Sequence, residues 1–148
     1  MDQTIKYANG EVAWYLQEFP NIVEESGSLG VIELGDQLDF AVKRVFFLRN
    51  LKQDTVRGMH AHKELKQIIV CLNGSFTIDL DNGLECRSVD MKADEKCLYV
   101  DGKVWREMSN FSKHAVMMVL CDREYRYDEV VRDYTLFKEN LESVNYAI

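Results

Sequence analysis

Arg57-Gly58-Met59-His60-Ala61-His62-Lys63 is the stretch on which the reading of this chain turns. Two of the three histidines stand in it, one residue apart, in a region that otherwise has the composition of a β-strand. Side chains at i and i+2 of a strand project from one face, so both imidazoles enter the same space. Such a pair belongs either to a metal site or to a proton-transfer site. Gly58 and Gly74 read as backbone devices, His114 as an exposed, inert residue in a polar loop.

Working outward, four dipeptides punctuate the chain: Asn9-Gly10, Asn73-Gly74, Asn82-Gly83 and Asp101-Gly102. Asn-Gly between apolar or alternating runs is a strong hairpin signal, because both central residues of a type I′ turn take positive φ. Residues 6–16 read as a first hairpin, 21–27 as a polar loop, 29–34 and 40–48 as β-rich runs parted by Gly35-Asp36-Gln37, and 50–56 as a loop leading into the histidine strand. Residues 67–72, 75–80 and 84–89 read as a three-stranded meander, and 96–100, 104–108 and 115–121 as further strands. A count near ten strands suits a sandwich or closed barrel. Tyr127, Val130, Val131, Tyr134, Phe137 and Leu141 follow helical spacing, which predicts one amphipathic helix over about 125–142. The fold class is therefore all-β with one C-terminal α-helix.

The length of 148 residues suits a single domain, 1–148, with one core. No run approaches the roughly 18 apolar residues of a membrane span, and the start, Met1-Asp2-Gln3-Thr4-Ile5-Lys6, lacks a secretory pattern, so the cytoplasm is expected. Cysteines 71, 86, 97 and 121 are scattered without zinc spacing and read as free thiols. A net charge of −7 argues against a nucleic-acid or anionic-membrane surface. It leaves room for a small anionic ligand held by a few local cations.

Four residues separate His62 from Gln67, and six separate Gln67 from Gly74. This resembles the first motif of the cupin superfamily, jelly-roll β-barrels with His-x-His, then Glu, then Gly. The second cupin motif ends Gly-x-x-His, where this chain has Gly102-Lys103-Val104-Trp105. Two of four ligand positions are thus occupied by an amide and an indole. A Zn2+ or Fe2+ site needs about three good donors, so the expectation is a barrel with no metal or other cofactor. The two histidines then become candidates for general acid and base, since imidazole titrates at about pH 6.5.

The combination of Arg-Gly-x-His-Ala-His-Lys with Trp105-Arg106-Glu107-Met108, together with Ser26-Gly27-Ser28-Leu29, Lys43-Arg44-Val45, 70–75, Leu98-Tyr99-Val100 and Met117-Met118-Val119-Leu120, resembles the dTDP-4-keto-6-deoxyglucose 3,4-ketoisomerase family of the FdtA, QdtA and WxcM-C-terminal type. Ser26, and Phe46-Phe47 where tyrosine is common, depart from the family pattern. The resemblance implies a metal-independent homodimer, with residues 1–25 strand-exchanged, acting on a dTDP-linked 4-keto-6-deoxyhexose to give the 3-keto isomer, a precursor of 3-amino sugars in bacterial surface glycans, such as lipopolysaccharide O-antigen, or antibiotics. It implies His62 as principal base and His60 as relay or second acid/base. Arg57 and Arg106 become candidates to hold the diphosphate or polarise a sugar oxygen, with Lys63 adding positive potential. Trp105 either walls the sugar pocket or packs in the core, Glu107 either supports a histidine or is a strand carboxylate, Tyr99 either donates to a sugar oxygen or packs, and Gln67 hydrogen-bonds in the pocket. Strand alternation sets Arg106 on the opposite face from Trp105 and Glu107. The competing expectations are a dTDP-sugar 3,5-epimerase, a metal-dependent cupin and a non-catalytic nucleotide-sugar binder.

Overall fold

The structure, a computed structural model, describes residues 4–33 and 41–145. β1 (Thr4–Lys6) and β2 (Val12–Glu18) form the expected first hairpin, turning at Asn9-Gly10, where Gly10 has φ +90°. Residues 21–27 are not a loop. β3 (Asn21–Glu24) and β4 (Gly27–Gly30) pair as a small ribbon of their own. The turn there, Glu25-Ser26, carries no Asn-Gly signal, and Gly27 takes φ +150° in its place. β5 (Arg44–Leu48) follows, while the separating Gly35-Asp36-Gln37 and the ends of both flanking runs lie outside the described residues.

After the loop at 50–56 come β6 (Arg57–His62), β7 (Lys66–Asn73), β8 (Ser75–Asp81), β9 (Cys86–Lys92), β10 (Lys96–Asp101), β11 (Trp105–Ser109) and β12 (Val116–Cys121). They make two sheets, ordered β1-β2-β10-β7-β12-β5 and, with β13 (Val130–Val131) at one edge, β13-β6-β11-β8-β9. The predicted meander is therefore only half right. β8 and β9 pair across Asn82-Gly83, but β7 and β8 belong to different sheets, and Asn73-Gly74 is the corner between them. A Cβ on Gly74 would stand 2.3 Å from Ser112 Oγ and 3.2 Å from Ala115 Cα, so the corner closes against the loop before β12. Asp101-Gly102 is a second such corner, from β10 to β11.

The core fills the space between the sheets with Ile69, Cys71, Phe76, Ile78, Leu98, Val100, Met117 and Val119. Alternate residues of β7 and β10, namely Ile68, Val70 and Cys97, are buried on the outer face of the larger sheet with Tyr15, Phe19, Tyr99, Met118 and Leu120. β7 is thus covered on both sides, in keeping with the consecutive apolar residues Ile68, Ile69, Val70 and Cys71. All four cysteines are free, and only Cys86 is exposed.

The C-terminal segment differs from expectation. Residues 125–133 are not α-helical: a short 3-10 helix at Tyr127–Glu129 leads into β13, which pairs with β6. The helix begins only at α1 (Tyr134–Asn140), where Asp133 accepts from the Leu136 N–H at 3.1 Å as N-cap, and α2 (Glu142–Asn145) continues it. The i, i+3, i+4 spacing counted Val130 and Val131 into the helix because a strand edge buries the same residue types.

Gly102 packs against the β6–β7 turn so closely that a Cβ would lie 2.2 Å from the Leu65 carbonyl oxygen and 2.9 Å from its nitrogen. Both neighbours are backbone and cannot rotate away. Gly102→Ala is expected to cost about 3 kcal/mol, readable as a lowered urea midpoint with unchanged slope.

Candidate active site

The histidine strand enters its sheet through a β-bulge. Gly58 has φ +87° and Met59 φ +54°, and against β11 the register steps from Arg106↔His60 to Glu107↔Gly58, leaving Met59 unpaired. A Cβ on Gly58 would stand 2.8 Å from the Arg106 carbonyl oxygen, so glycine is required on both counts. Beyond the bulge His60 pairs with Arg106, and β13 takes the other edge of β6 through Val130↔His62 and Val131↔Ala61. The imidazoles of His60 and His62 share one face as expected, centroids 4.8 Å apart and edge to face at 89°.

They open on a cavity of about 420 Å³. β5 supplies Arg44 and Phe46, β7 supplies Gln67, and the segment around β13 supplies Tyr125, Val130 and Arg132. The Arg44 guanidinium lies 5.7 Å from the Phe46 ring and 5.5 Å from the Tyr125 ring, and its Nη2 donates to Cys121 Sγ at 3.5 Å. Arg132 stacks on Tyr127 at 5.4 Å. Two cations therefore stand at the cavity.

Beneath the histidines lies Arg106, 1% exposed. Its Nη1 donates to Gln67 Oε1, and its Nη2 donates to the carbonyls of Asp101 at 3.1 Å, Gly102 at 3.2 Å and Val104 at 3.0 Å. The Gly102 carbonyl also accepts from the His62 backbone N–H at 2.7 Å, so one buried cation braces the strand that carries the pair. Burial drags the Arg106 pKa down to about 10, leaving it charged at neutral pH. Burial first and Arg106 second depress both histidines, His60 to about 4 and His62 to about 2. Both are neutral at pH 7. Neither ring nitrogen of His62 has a hydrogen-bond partner among the described residues, although the residue is only 7% exposed.

Other expected site residues sit elsewhere. Trp105 and Glu107 face the outside of the smaller sheet, as alternation requires. Trp105 packs on Tyr134 and Phe137 of α1 at 5.3 and 5.5 Å, and its indole N–H donates to Glu107 Oε1 at 3.4 Å. They line a separate cavity of about 370 Å³ with Asp79, Asp81 and Cys86. Trp105 therefore does not wall the histidine cavity, and Glu107 supports no histidine. Tyr99 stacks on Tyr15 at 5.0 Å on the outer face of the larger sheet, so it packs. Arg57 and Lys63 are exposed and do not line the histidine cavity. His114 is exposed, as read.

Of the four cupin ligand positions, only His60 and His62 offer free donors to the cavity. The Gln67 oxygen is taken by a guanidinium and Trp105 is on the far side of the sheet, so this donor set does not fit a metal ion. Sequence reasoning missed Arg44, Tyr125, Val130 and Arg132, which come from elements remote from the motif. Arg44 lay within a matched stretch, and that was the available signal.

Two facing antiparallel sheets around an inward His-x-His define a cupin barrel, here with paired neutral imidazoles above a buried cation. Residues 13–142 match the family described as FdtA: WxcM-like, C-terminal. A relative, the TDP-4-oxo-6-deoxy-alpha-D-glucose-3,4-oxoisomerase of Aneurinibacillus thermoaerophilus, is 39% identical over 127 residues, 86% of this chain and 91% of that protein. A variant of the 3,4-ketoisomerase QdtA from Thermoanaerobacterium thermosaccharolyticum, solved with TDP-4-keto-6-deoxyglucose, superposes with a TM-score of 0.82 at 31% identity, covering 88% of this chain and 94% of that one. A 3,4-ketoisomerase from Helicobacter canadensis gives 0.81 at 32%, over 87% and 97%. The chain belongs to this FdtA family of sugar 3,4-ketoisomerases.

Proposed function

We propose that the chain converts TDP-4-keto-6-deoxyglucose to its 3-keto isomer in the histidine cavity, in deoxysugar biosynthesis. The observation that carries the site assignment is His62, a buried neutral imidazole with both nitrogens uncommitted, edge-on to a second neutral imidazole. A buried polar group without a partner is costly, and a functional role is a reason for a fold to keep one.

The C3 proton is acidified by the adjacent C4 ketone. His62 takes it, the electrons fall into an enediol or enediolate, and return of a proton at C4 with loss of one from the C3 hydroxyl leaves the carbonyl at C3. His60 relays the second proton. Arg106 beneath them stabilises negative charge developing on oxygen through the field of a dry site. Arg44 and Arg132 hold the diphosphate, the duty expected of Arg57 and Arg106.

The active unit in this reading is a homodimer formed through the outer face of the larger sheet. Val45 and Phe47, 52% and 56% exposed, extend the apolar surface of Met118 and Leu120 across the β5–β12 pairing. The β3–β4 ribbon, with Ile22, Val23 and Leu29 exposed, reaches onto the partner subunit in the strand exchange. Among the described residues no helix is long and apolar enough to cross a membrane. The four free cysteines fit the reducing cytoplasm in which we place it.

Proton NMR of the full chain with TDP-4-keto-6-deoxyglucose in D2O tests the reaction. The expected result is solvent exchange at C3 and growth of the 3-keto product, with the coupling at C4 reporting its configuration. Deuterium at C3 and C5 with inversion would replace the proposal by an epimerase. Binding without exchange would replace it by a binding module.

A further inference from the structure

We propose that Glu129 is a positioning residue for the histidine pair, a role that rests on the acid/base reading above. One oxygen of its carboxylate, Oε1, accepts from three consecutive backbone amides: Lys63 at 3.1 Å, Glu64 at 2.6 Å and Leu65 at 2.7 Å. Successive N–H groups converging on one point form an anion nest, and this one is filled by the chain's own carboxylate. Its location gives it consequence, because the turn begins at the residue after His62. The backbone carbonyl of Glu129 also accepts from Lys63 N–H at 3.1 Å.

The neighbouring amides are held from other directions. His62 N–H donates to the Gly102 carbonyl at 2.7 Å, and Lys66 N–H donates to Asp122 Oδ1 at 2.9 Å. Five amides in a row, 62 to 66, thus end on acceptors outside the turn, three of them on one carboxylate oxygen. Gly102 presses on Leu65 from the barrel side, and Glu129 clamps the turn from the C-terminal side. Between them they set where β6 ends and so where the His62 ring stands.

Loss of the carboxylate releases the turn and leaves the opposite wall in place. Val130 and Val131 remain paired with His62 and Ala61, and Arg132 remains between that pairing and the N-cap of α1. Lys63 N–H keeps the Glu129 backbone carbonyl, Glu64 N–H belongs to an exposed residue and can turn to water, and Leu65 N–H, on a buried residue, loses its acceptor, so a loss of alignment is expected together with a modest loss of stability. A misplacement of about 1 Å at a reacting group costs on the order of 10²-fold in rate.

The test compares Glu129→Ala, Glu129→Gln and His62→Asn in the full chain, with kcat and KM for TDP-4-keto-6-deoxyglucose, TDP affinity by calorimetry, and thermal midpoints. Glu129→Ala is expected to lower kcat by about 30-fold, with KM and TDP affinity changed by less than about threefold. Glu129→Gln, which keeps an acceptor oxygen, is expected to recover kcat to within about threefold of the parent. Parent-like kcat in Glu129→Ala, a Gln variant no better than Ala, a loss confined to TDP affinity, or a loss that vanishes on cooling below the variant's melting range would each overturn the assignment. If His62→Asn is inactive while Glu129→Ala is not, only this inference fails. If His62→Asn turns over normally, the acid/base reading fails and takes this one with it.

Discussion

His62→Asn is expected to bind TDP as the parent does and to lose kcat by about 10³-fold, the scale on which a positioned general base contributes. Asparagine keeps a polar side chain at the cavity floor but has no basic nitrogen, so the defect belongs to proton transfer. C3 exchange in D2O should be lost together with product formation, because both need the same abstraction. His60→Asn should retain more activity, within about 10–100-fold of the parent, if it relays the second proton. Single-turnover NMR with calorimetric binding of TDP reads both. Equal losses in exchange and in TDP affinity would instead make the ring a ligand for the nucleotide.

Arg106→Met is expected to act on stability and on pH dependence together. The substitution removes the donors to Gln67 and to the carbonyls of Asp101, Gly102 and Val104, an expected loss of about 3 kcal/mol at pH 7.5 by urea denaturation. It also removes the second cause of depression at both imidazoles, leaving burial as the first. In the parent, with His60 near 4 and His62 near 2, activity should hold well below pH 6. The acid limb in Arg106→Met should move upward toward the ordinary histidine value of about 6.5 without reaching it.

Linkage fixes the sign of the accompanying stability change. Unfolded histidine binds protons below about pH 6.5 and the native pair does not, so the parent loses stability as pH falls from there toward 4. That loss should be shallower in Arg106→Met. Thermal midpoints between pH 4.5 and 7.5 provide the comparison, and parallel curves for parent and variant would dissociate Arg106 from the histidines.

The part of the site legible in the sequence was the part governed by local geometry. His-x-His needs only the period of a strand, and the same period correctly opposed Arg106 to Trp105. What it lacked was the identity of the inner face: Arg106 read as a ligand-holding cation, whereas the fold buries it against carbonyls that lie in no motif. Trp105 and Tyr99 could be wall or core on sequence, and sheet order made both packing residues. Asn73-Gly74 and Asp101-Gly102 were recognised as turns, but a sheet-switching corner has the same dipeptide chemistry as a hairpin, and only the pairing of β7 with β10 and β12 separates them. Arg44 and Arg132 were missed because the cavity is assembled from β5 and β13, distant in sequence and adjacent only through long-range pairing.

Arg106 also bears on what this enzyme requires from the cell. Barrels of this shape that work with a metal depend on supply, on selection of the right ion and on protection from chelators and oxidants. A guanidinium sealed under the histidines arrives with translation, does not exchange and has no accessible redox couple. Its charge is acquired in the same event as the fold.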